Sequence, residues 1–276
     1  MTGILYVVSL PIGNLKDITL RALAVLKEVD LILTEDTRSF QKIAKAYEIP
    51  PKKLISFYRE KEIKKEDRII EILKEGKKIA LCSEAGTPLI SDPGSRLIQR
   101  AYREGIKVVP IPGASALSCA LSVSGIDLSE GFVFLGFPPK KEKLLRERLS
   151  KIPPDLPLIL FISPHDFPEI IALLLKILGN REVFLARELT KFHEELLLTT
   201  LDELSKREAV RGEITIVVGR PYGEEFQVKE KPSVEHLQRR YLELKARGLR
   251  KREIAKILAV ELGITAKDIY EVIRNL

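Results

Sequence analysis

Ser83-Glu84-Ala85-Gly86-Thr87-Pro88-Leu89-Ile90-Ser91-Asp92-Pro93-Gly94 is the stretch on which the reading of this chain turns. An apolar run, Lys78-Ile79-Ala80-Leu81-Cys82, precedes it and reads as a buried strand. Residues 95–102 follow with helical spacing, and Gly105 provides the stop. Glycine gives a backbone access to positive φ and to close approach by a ligand, whereas proline fixes φ and removes a donor. A strand-to-helix loop so composed is more specialised than a connection. In open α/β sheets ligands bind beyond the carboxyl ends of the strands, where such loops lie.

The pattern extends outward on both sides. Residues 4–9 read as a strand, followed by the loop Leu10-Pro11-Ile12-Gly13-Asn14. Asp17 or Thr19 can cap a helix carrying Leu20, Leu23, Leu26 and Val29 at helical spacing. A strand at 31–34 leads into Glu35-Asp36-Thr37-Arg38, then a helix to about 47, a strand near 54–57 and a charged helix over 65–75. Beyond Gly105, a strand at 107–111 opens into Pro112-Gly113-Ala114-Ser115-Ala116. Strands alternating with helices predict an α/β domain over 1–114. A second α/β domain is predicted over 115–222, the boundary falling on a functional loop near Ser115. Its strands lie at 132–135, 158–162, 183–186, 196–199 and 214–218, its helices at 116–124, 140–151, 167–178 and 202–208. Strands follow one another more densely there, which predicts antiparallel pairs.

A linker from Pro221 through Pro232 leads to a helical module over 231–276. Ser233 can cap a first helix with Val234, Leu237, Tyr241 and Leu244 on one face, ended by Gly248. A second helix spans 249–262 and a third 266–275, the latter opened by a box-like Thr265-Ala266-Lys267-Asp268. Ala259, Gly263 and Ile269 have helix-turn-helix spacing. A plain three-helix appendage fits the same spacing.

The chain has 276 residues, 45% hydrophobic and 31% charged, the composition of a globular protein with substantial cores. No apolar run reaches the length of about 18 residues that a membrane helix needs. The apolar start lacks a basic leader and a small-residue cleavage site, so it reads as a strand rather than a signal peptide. Cys82 and Cys119 sit far apart in apolar segments, which predicts reduced thiols and a cytoplasmic protein. The net charge is +7, and residues 231–276 hold eleven Lys/Arg against six Asp/Glu. A basic segment attracts polyanions, nucleic acid above all. An ion-paired surface of a heat-adapted protein gives the same composition. Arg250-Lys251-Arg252 is the densest basic run. Cations at a helix start oppose the helix dipole, so helix stability does not account for them; an external anion does, and solvated, idle side chains are the alternative.

Several chemistries are excluded. No glycine-rich dinucleotide loop, phosphate-binding loop or nucleophile elbow occurs. Histidines stand only at 165, 193 and 236, which leaves no zinc cluster. What recurs is a set of loops at strand ends offering amides, carbonyls and hydroxyls. Formal charge is confined largely to Glu35-Asp36-Thr37-Arg38 and Arg187-Glu188-Leu189-Thr190-Lys191. Such a pocket suits a folded small molecule with many polar atoms and modest net charge.

Pro11-Ile12-Gly13-Asn14-Leu15, with Asp17-Ile18-Thr19 and Arg21-Ala22-Leu23 after it, resembles the opening of the tetrapyrrole methylase superfamily, and within it the branch acting on ribosomal RNA. Glu35-Asp36-Thr37-Arg38, the 83–94 loop, Pro112-Gly113 and Arg187-Glu188-Leu189-Thr190-Lys191 match that branch in order, so the resemblance covers residues 4–218. It implies a two-domain tetrapyrrole-methylase-like α/β fold with S-adenosylmethionine in the cleft between the domains, usually in a homodimer. It implies methyl transfer to the ribose 2′-oxygen of a cytidine in the decoding region of 16S rRNA, and the uncharged loops and absence of ligand clusters predict that no metal takes part. By position, cofactor contacts fall on Leu10, Pro11, Gly13, Gly86, Thr87, Ile90, Ser115, Ala116, Ile162, Leu189 and Thr215. A sulfonium donor already carries its leaving group, so the protein's task is chiefly alignment. A hydroxyl acceptor benefits from a base or a polarising cation, for which Asp36, Arg38, Glu188 and Lys191 are the candidates. Arg250, Lys251 and Arg252 are the candidate RNA contacts. The chain departs from the pattern at Glu84, where Asp is usual, at Ile162 and Asp166, and over 57–62, where His and Asn are missing.

Two other functions fit parts of the chain. A methyltransferase acting on a corrin or porphyrin precursor accommodates the basic charge, since those substrates are polycarboxylates. A non-catalytic RNA-binding protein accounts for the C-terminal helices but leaves the pocket loops without a role.

Overall fold

The computed structural model describes residues 2–208, 210–221, 234–246 and 249–262. Residues 1–221 form one compact unit and 222–276 a second. In the first, strands β1 (Ile4–Val8), β2 (Leu31–Thr34), β3 (Lys53–Ser56), β4 (Lys78–Cys82) and β5 (Lys107–Ile111) make a sheet in the order β3-β2-β4-β1-β5. Every neighbouring pair is parallel. Successive side chains point to opposite faces of a strand, and both faces of this sheet are covered. Ile32 packs with Leu26 and Phe40 of helices α1 (Leu20–Glu28) and α2 (Thr37–Ala46). Its neighbours Leu31 and Leu33 pack with Ile69, Leu73 and Leu97 of α3 (Arg59–Lys74) and α4 (Ser95–Arg103). Each such side chain, taken out of water, contributes about 1.5–3 kcal/mol. Parallel strands joined by crossover helices present all their carboxyl ends, and the loops that leave them, at one edge.

A second sheet follows helix α5 (Ala116–Val123). It is built from β6 (Val133–Gly136), β7 (Leu158–Ile162), β8 (Glu182–Arg187), β9 (Glu195–Thr200) and β10 (Ile214–Val218), in the order β6-β7-β10-β8-β9. β6 and β7 are parallel and the other pairs antiparallel, as the strand density predicts. One face packs on α6 (Glu142–Leu149), α7 (Phe167–Leu178) and α8 (Leu201–Ser205), with Leu145, Phe167, Ile170 and Leu201 against Leu158 and Leu160. On the other face Ile159, Phe184 and Val217 meet Ala120 of α5, together with Ile12 and Leu189 from two loops. Ile12 leaves the first sheet and Leu189 the second, so this apolar seam joins the two.

Several boundaries differ from those read in the sequence. Thr19 rather than Asp17 caps α1, its hydroxyl accepting from the Ala22 amide at 3.1 Å, while Asp17 lies in a short 3-10 turn. α3 begins at Arg59 rather than 65, because Arg59-Glu60-Lys61-Glu62 are strong helix formers. α6 is shorter than 140–151, and α8 ends at Ser205 rather than 208.

The second unit contains α9 (Val234–Ala246) and α10 (Lys251–Leu262), which bury Tyr241, Leu244, Ile254 and Leu258 together. The ammonium groups of Lys245 and Lys251 stand 5.5 and 6.0 Å from the Tyr241 ring centroid. Arg250, Lys251 and Arg252 are exposed. The Arg250 amide donates to the Glu253 carboxylate at 2.9 Å, so one acid offsets the basic run at this helix start. The predicted linker beyond Pro221, Ser233, Gly248, Gly263, Ile269 and the third helix at 266–275 lie outside the described residues. No helix among the described residues is long and apolar enough to cross a membrane.

Candidate functional site

The loops leaving β1, β4 and β5 are bonded to one another. Leu10 and Gly86 exchange both backbone hydrogen bonds, at 2.9 and 3.0 Å, forming a bridge outside either sheet. The Ser83 hydroxyl donates to the Gly86 carbonyl at 3.0 Å. The Thr87 hydroxyl donates to the Ala114 carbonyl at 3.0 Å and lies 3.0 Å from the Ser9 hydroxyl. Gly86 has φ +75°, and a Cβ there would lie 3.2 Å from Ile12 Cγ2. Leu89 and Ser91 also hold left-handed φ, 73° each, without being glycine. Such backbone is maintained only where the surroundings impose it.

From the second sheet, the loop after β8 reaches across to the first. Glu188 and Thr190 have φ 51° and 66°. The Asn14 amide donates to the Thr190 hydroxyl at 3.1 Å. Lys191 lies over Gly13 so closely that a Cβ on Gly13 would come within 2.4 Å of Lys191 Cγ. The Lys191 ammonium donates to Glu188 at 2.8 Å and to Glu213 at 3.0 Å. The hydrogen bond from Lys191 and one from the Glu213 amide hold the Glu188 carboxyl below its ordinary range. Burial works to lower the Lys191 pKa, but its bonds to Glu188 and Glu213 outweigh it and the pKa is raised. Lys191 therefore remains a cation at neutral pH, suited to polarise an oxygen and unsuited to accept a proton.

These loops enclose a cleft of about 710 Å³, within the usual range for small-molecule sites. Of the residues assigned to cofactor contact, Pro11, Gly13, Gly86, Thr87, Ile90 and Ser115 line it from the first sheet's side. Ala116, Ile162 and Thr215 line it from the second. Leu10 and Leu189 lie behind the surface, 1% and 8% exposed, the one bridging to Gly86 and the other in the apolar seam. Among the acid–base candidates, Lys191 lines the cleft and Glu188 holds Lys191 in place. Asp36 caps α2, accepting from the Arg38 amide at 2.7 Å, and that bond keeps its carboxyl below the usual range. Arg38 is exposed in the first turn of the same helix.

The lining carries more charge than the loops suggest, with Glu35, Glu84, Asp92 and Glu213 against Lys42 and Lys191. Lys42 escaped the sequence reading because it belongs to a helix rather than a loop. Its signal was the spacing Ser39, Lys42, Ile43 on one face of α2, all three of which line the cleft. Phe137 and Phe161 also line it. Gly136-Phe137-Pro138-Pro139 is itself a Gly/Pro-rich loop at a strand end, the same signal that marks the other loops. Cys82 is buried, and burial pushes its thiol pKa up, so it stays a neutral thiol outside the site. No cluster among the described residues is composed to hold a metal.

A cleft between two α/β sheets, lined by the carboxyl-end loops of a parallel sheet, defines a class, and family comparison gives it a name. Residues 4–205 match the model for tetrapyrrole (corrin/porphyrin) methylases, and the chain belongs to that family. Its relatives include a protein of Halalkalibacterium halodurans named ribosomal RNA small subunit methyltransferase I, 40% identical over 98% of this chain and 94% of that protein. A protein of the same name in Bacillus subtilis is 37% identical over 98% of this chain and 93% of its own length. The one in Thermotoga maritima is 43% identical, over 78% of this chain and 98% of that protein. Among solved structures, diphthine synthase superposes with TM-score 0.60 at 18% identity, covering 79% of this chain and 90% of that one. Uroporphyrin III C-methyl transferase from Thermus thermophilus gives 0.55 at 20%, covering 78% and 97%. Both share the fold.

Proposed function

We propose that this protein transfers a methyl group from S-adenosylmethionine to the ribose 2′-oxygen of a cytidine in the decoding region of 16S rRNA. The observation that carries the reading is the near-full-length similarity to proteins named ribosomal RNA small subunit methyltransferase I, joined to the cleft of about 710 Å³ lined by Gly86, Thr87, Ser115 and Thr215. The cleft fits the donor. It has the right volume and a lining of four carboxylates against two ammonium groups, which suits a cationic sulfonium. α5 begins at Ala116, and its N-cap residue Ser115 makes no side-chain cap, leaving first-turn amides suited to a carboxylate.

When bound, S-adenosylmethionine supplies an electrophilic methyl on a sulfonium that is a good leaving group. The chain's residues align the acceptor and exclude water. Lys191 donates to the acceptor oxygen, and Glu188 positions Lys191 through the 2.8 Å bond. Glu213, 3.0 Å from the same ammonium, is the carboxylate placed beside it to take the hydroxyl proton as the new O–C bond forms. Asp36 acts by capping α2 and so fixing Ser39 and Lys42 at the lining. Arg38, exposed between the lining residues Glu35 and Ser39, is available to an RNA phosphate. Arg250, Lys251 and Arg252 dock the RNA. The protein works in the cytoplasm as a homodimer on 16S rRNA or the small subunit.

A corrin or porphyrin precursor would bring several carboxylates against the acidic lining, which disfavours that substrate. The test is transfer of labelled methyl to an unmodified small-subunit rRNA transcript, to small subunits and to a tetrapyrrole, followed by nucleoside mass analysis. A methyl on cytidine ribose, abolished when the target is deoxycytidine, is expected. A methyl on the base refutes the assignment, and transfer to the tetrapyrrole alone replaces it.

A further inference from the structure

Phe137 is 59% exposed and lines the cleft. Scattered exposed apolar side chains are ordinary on a protein surface, but this one is held in place from several directions. The Phe161 ring meets it edge to face, with centroids 5.7 Å apart and planes at 63°. Phe161 is itself held by Phe134 at 4.9 Å and 69°. A bulge between Phe134 and Gly136 turns the chain as it leaves β6. Arg148 then grips the turn, donating to the Leu135 carbonyl at 2.6 Å and the Phe137 carbonyl at 3.5 Å. Pro138 and Pro139 follow and stiffen the exit. Lys140, Lys141 and Lys143 come next, all exposed, with Lys140 paired to Asp166 at 2.6 Å. An exposed aromatic ring is thus fixed at the cleft, and three exposed lysines follow it closely in sequence.

A folded rRNA cannot enter a cleft of about 710 Å³ and can offer it only a nucleotide turned out of its stack. The unstacked base then needs a surface. We propose that Phe137 is the platform on which the base of the acceptor nucleotide stacks, with the neighbouring lysines meeting the flanking phosphates. The inference rests on the rRNA reading above and adds to it the residue that positions the acceptor. Exposure argues against the donor's adenine as the occupant, because a small-molecule site buries most of its ligand whereas this ring stands largely open.

The chain contains no tryptophan, so Phe137→Trp introduces a single fluorophore that also preserves stacking. Phe137→Ala removes the ring, and Phe137→Leu keeps apolar bulk without a π face. Base–aromatic stacking predicts a fall in kcat/KM for the rRNA transcript of about fivefold to about a hundredfold in the Ala variant. The Leu variant should fall nearly as far. Trp should retain the parent rate within about threefold, with S-adenosylmethionine affinity unchanged in all three. Trp fluorescence should be quenched by the transcript and not by S-adenosylmethionine alone. An Ala variant within about twofold of the parent overturns the proposal, as does full activity in the Leu variant. Quenching by S-adenosylmethionine alone, with weakened cofactor affinity, assigns the ring to the donor and also overturns it. A parent protein that transfers no methyl to this RNA refutes the functional reading itself, which the parent measurement shows before any variant is compared.

Discussion

Replacing Gly86 by Ala tests whether the 83–94 loop is a ligand cradle or only a turn. At φ +75° an alanine is strained by about 1–2 kcal/mol, and its Cβ would lie 3.2 Å from Ile12 Cγ2, closer than side chains normally sit. The loop has two ways to respond. It can stay and carry the strain, or shift and lose the two bonds to Leu10 at 2.9 and 3.0 Å, each worth about 1 kcal/mol. Either way the geometry displayed here becomes about 1–2 kcal/mol less favourable, which lowers the population competent to bind. Apparent affinity for S-adenosylmethionine should weaken about five- to thirtyfold by calorimetry. The same variant should melt only about 2–8 °C lower, since a protein of this size loses about 2–4 °C per kcal/mol. Lower melting with unchanged affinity would falsify the cradle and leave the loop a structural turn. A Val at this position, β-branched at positive φ, should abolish binding.

Three further outcomes are expected. Glu188 has a lowered pKa, so its stabilisation is present above the ordinary glutamate range and is lost as pH falls through the folded value; Lys191 has a raised pKa, so its share is present below the ordinary lysine range and is lost as pH rises through the folded value. Glu188→Gln should therefore melt lower than the parent at neutral pH and converge with it in acid, and a constant difference across pH would show that the pair contributes no linkage. Replacing Arg250 and Arg252 by Ala, while keeping Lys251 because its ammonium stands 6.0 Å from the Tyr241 centroid, should weaken RNA binding and shallow its salt slope by about one to two, with cofactor affinity intact; an unchanged slope removes these residues from the interface. Binding of S-adenosylmethionine should be the same with and without a chelator, given that no metal-holding cluster occurs among the described residues, and loss of binding on chelation would reveal a metal.

Much of the fold was legible because it is written in local pattern. All ten strands among the described residues lie where short apolar runs bounded by Gly, Pro or charged residues place them, and the first sheet's parallel character follows from its strand–helix alternation. Helix ends were less legible. The start of α3 at Arg59 has no side-chain cap at Tyr58, so only the helix-forming residues that follow mark it. In the site, the strand-end loops that carry Gly86, Thr87 and Ser115 could be found by composition, while the individual contacts came from the family resemblance. Lys42 and Phe161 could not be found that way, since one sits on a helix, where only the spacing along one face marks it, and the other inside a strand. The partnership of Lys191 with Glu213 is likewise absent from local sequence, because it joins residues on two different loops. Asp36, read as an acid–base candidate, has its carboxylate engaged by the Arg38 amide at the start of α2.

The arrangement of the strands also divides the compact unit into a working end and an idle one. Every loop at the cleft leaves a carboxyl end of the parallel sheet, or the ends of β6, β7, β8 and β10 that face the same way. The returns from α4 to β5 and from α7 to β8 lie at the opposite end, where Gly105 and Gly179 have nothing within 4 Å of a would-be Cβ. Fluorescent labels, immobilising tethers or an inserted peptide placed at those two turns should leave the cleft unobstructed. The same turns offer attachment points from which a working molecule could be held on a surface and observed one at a time.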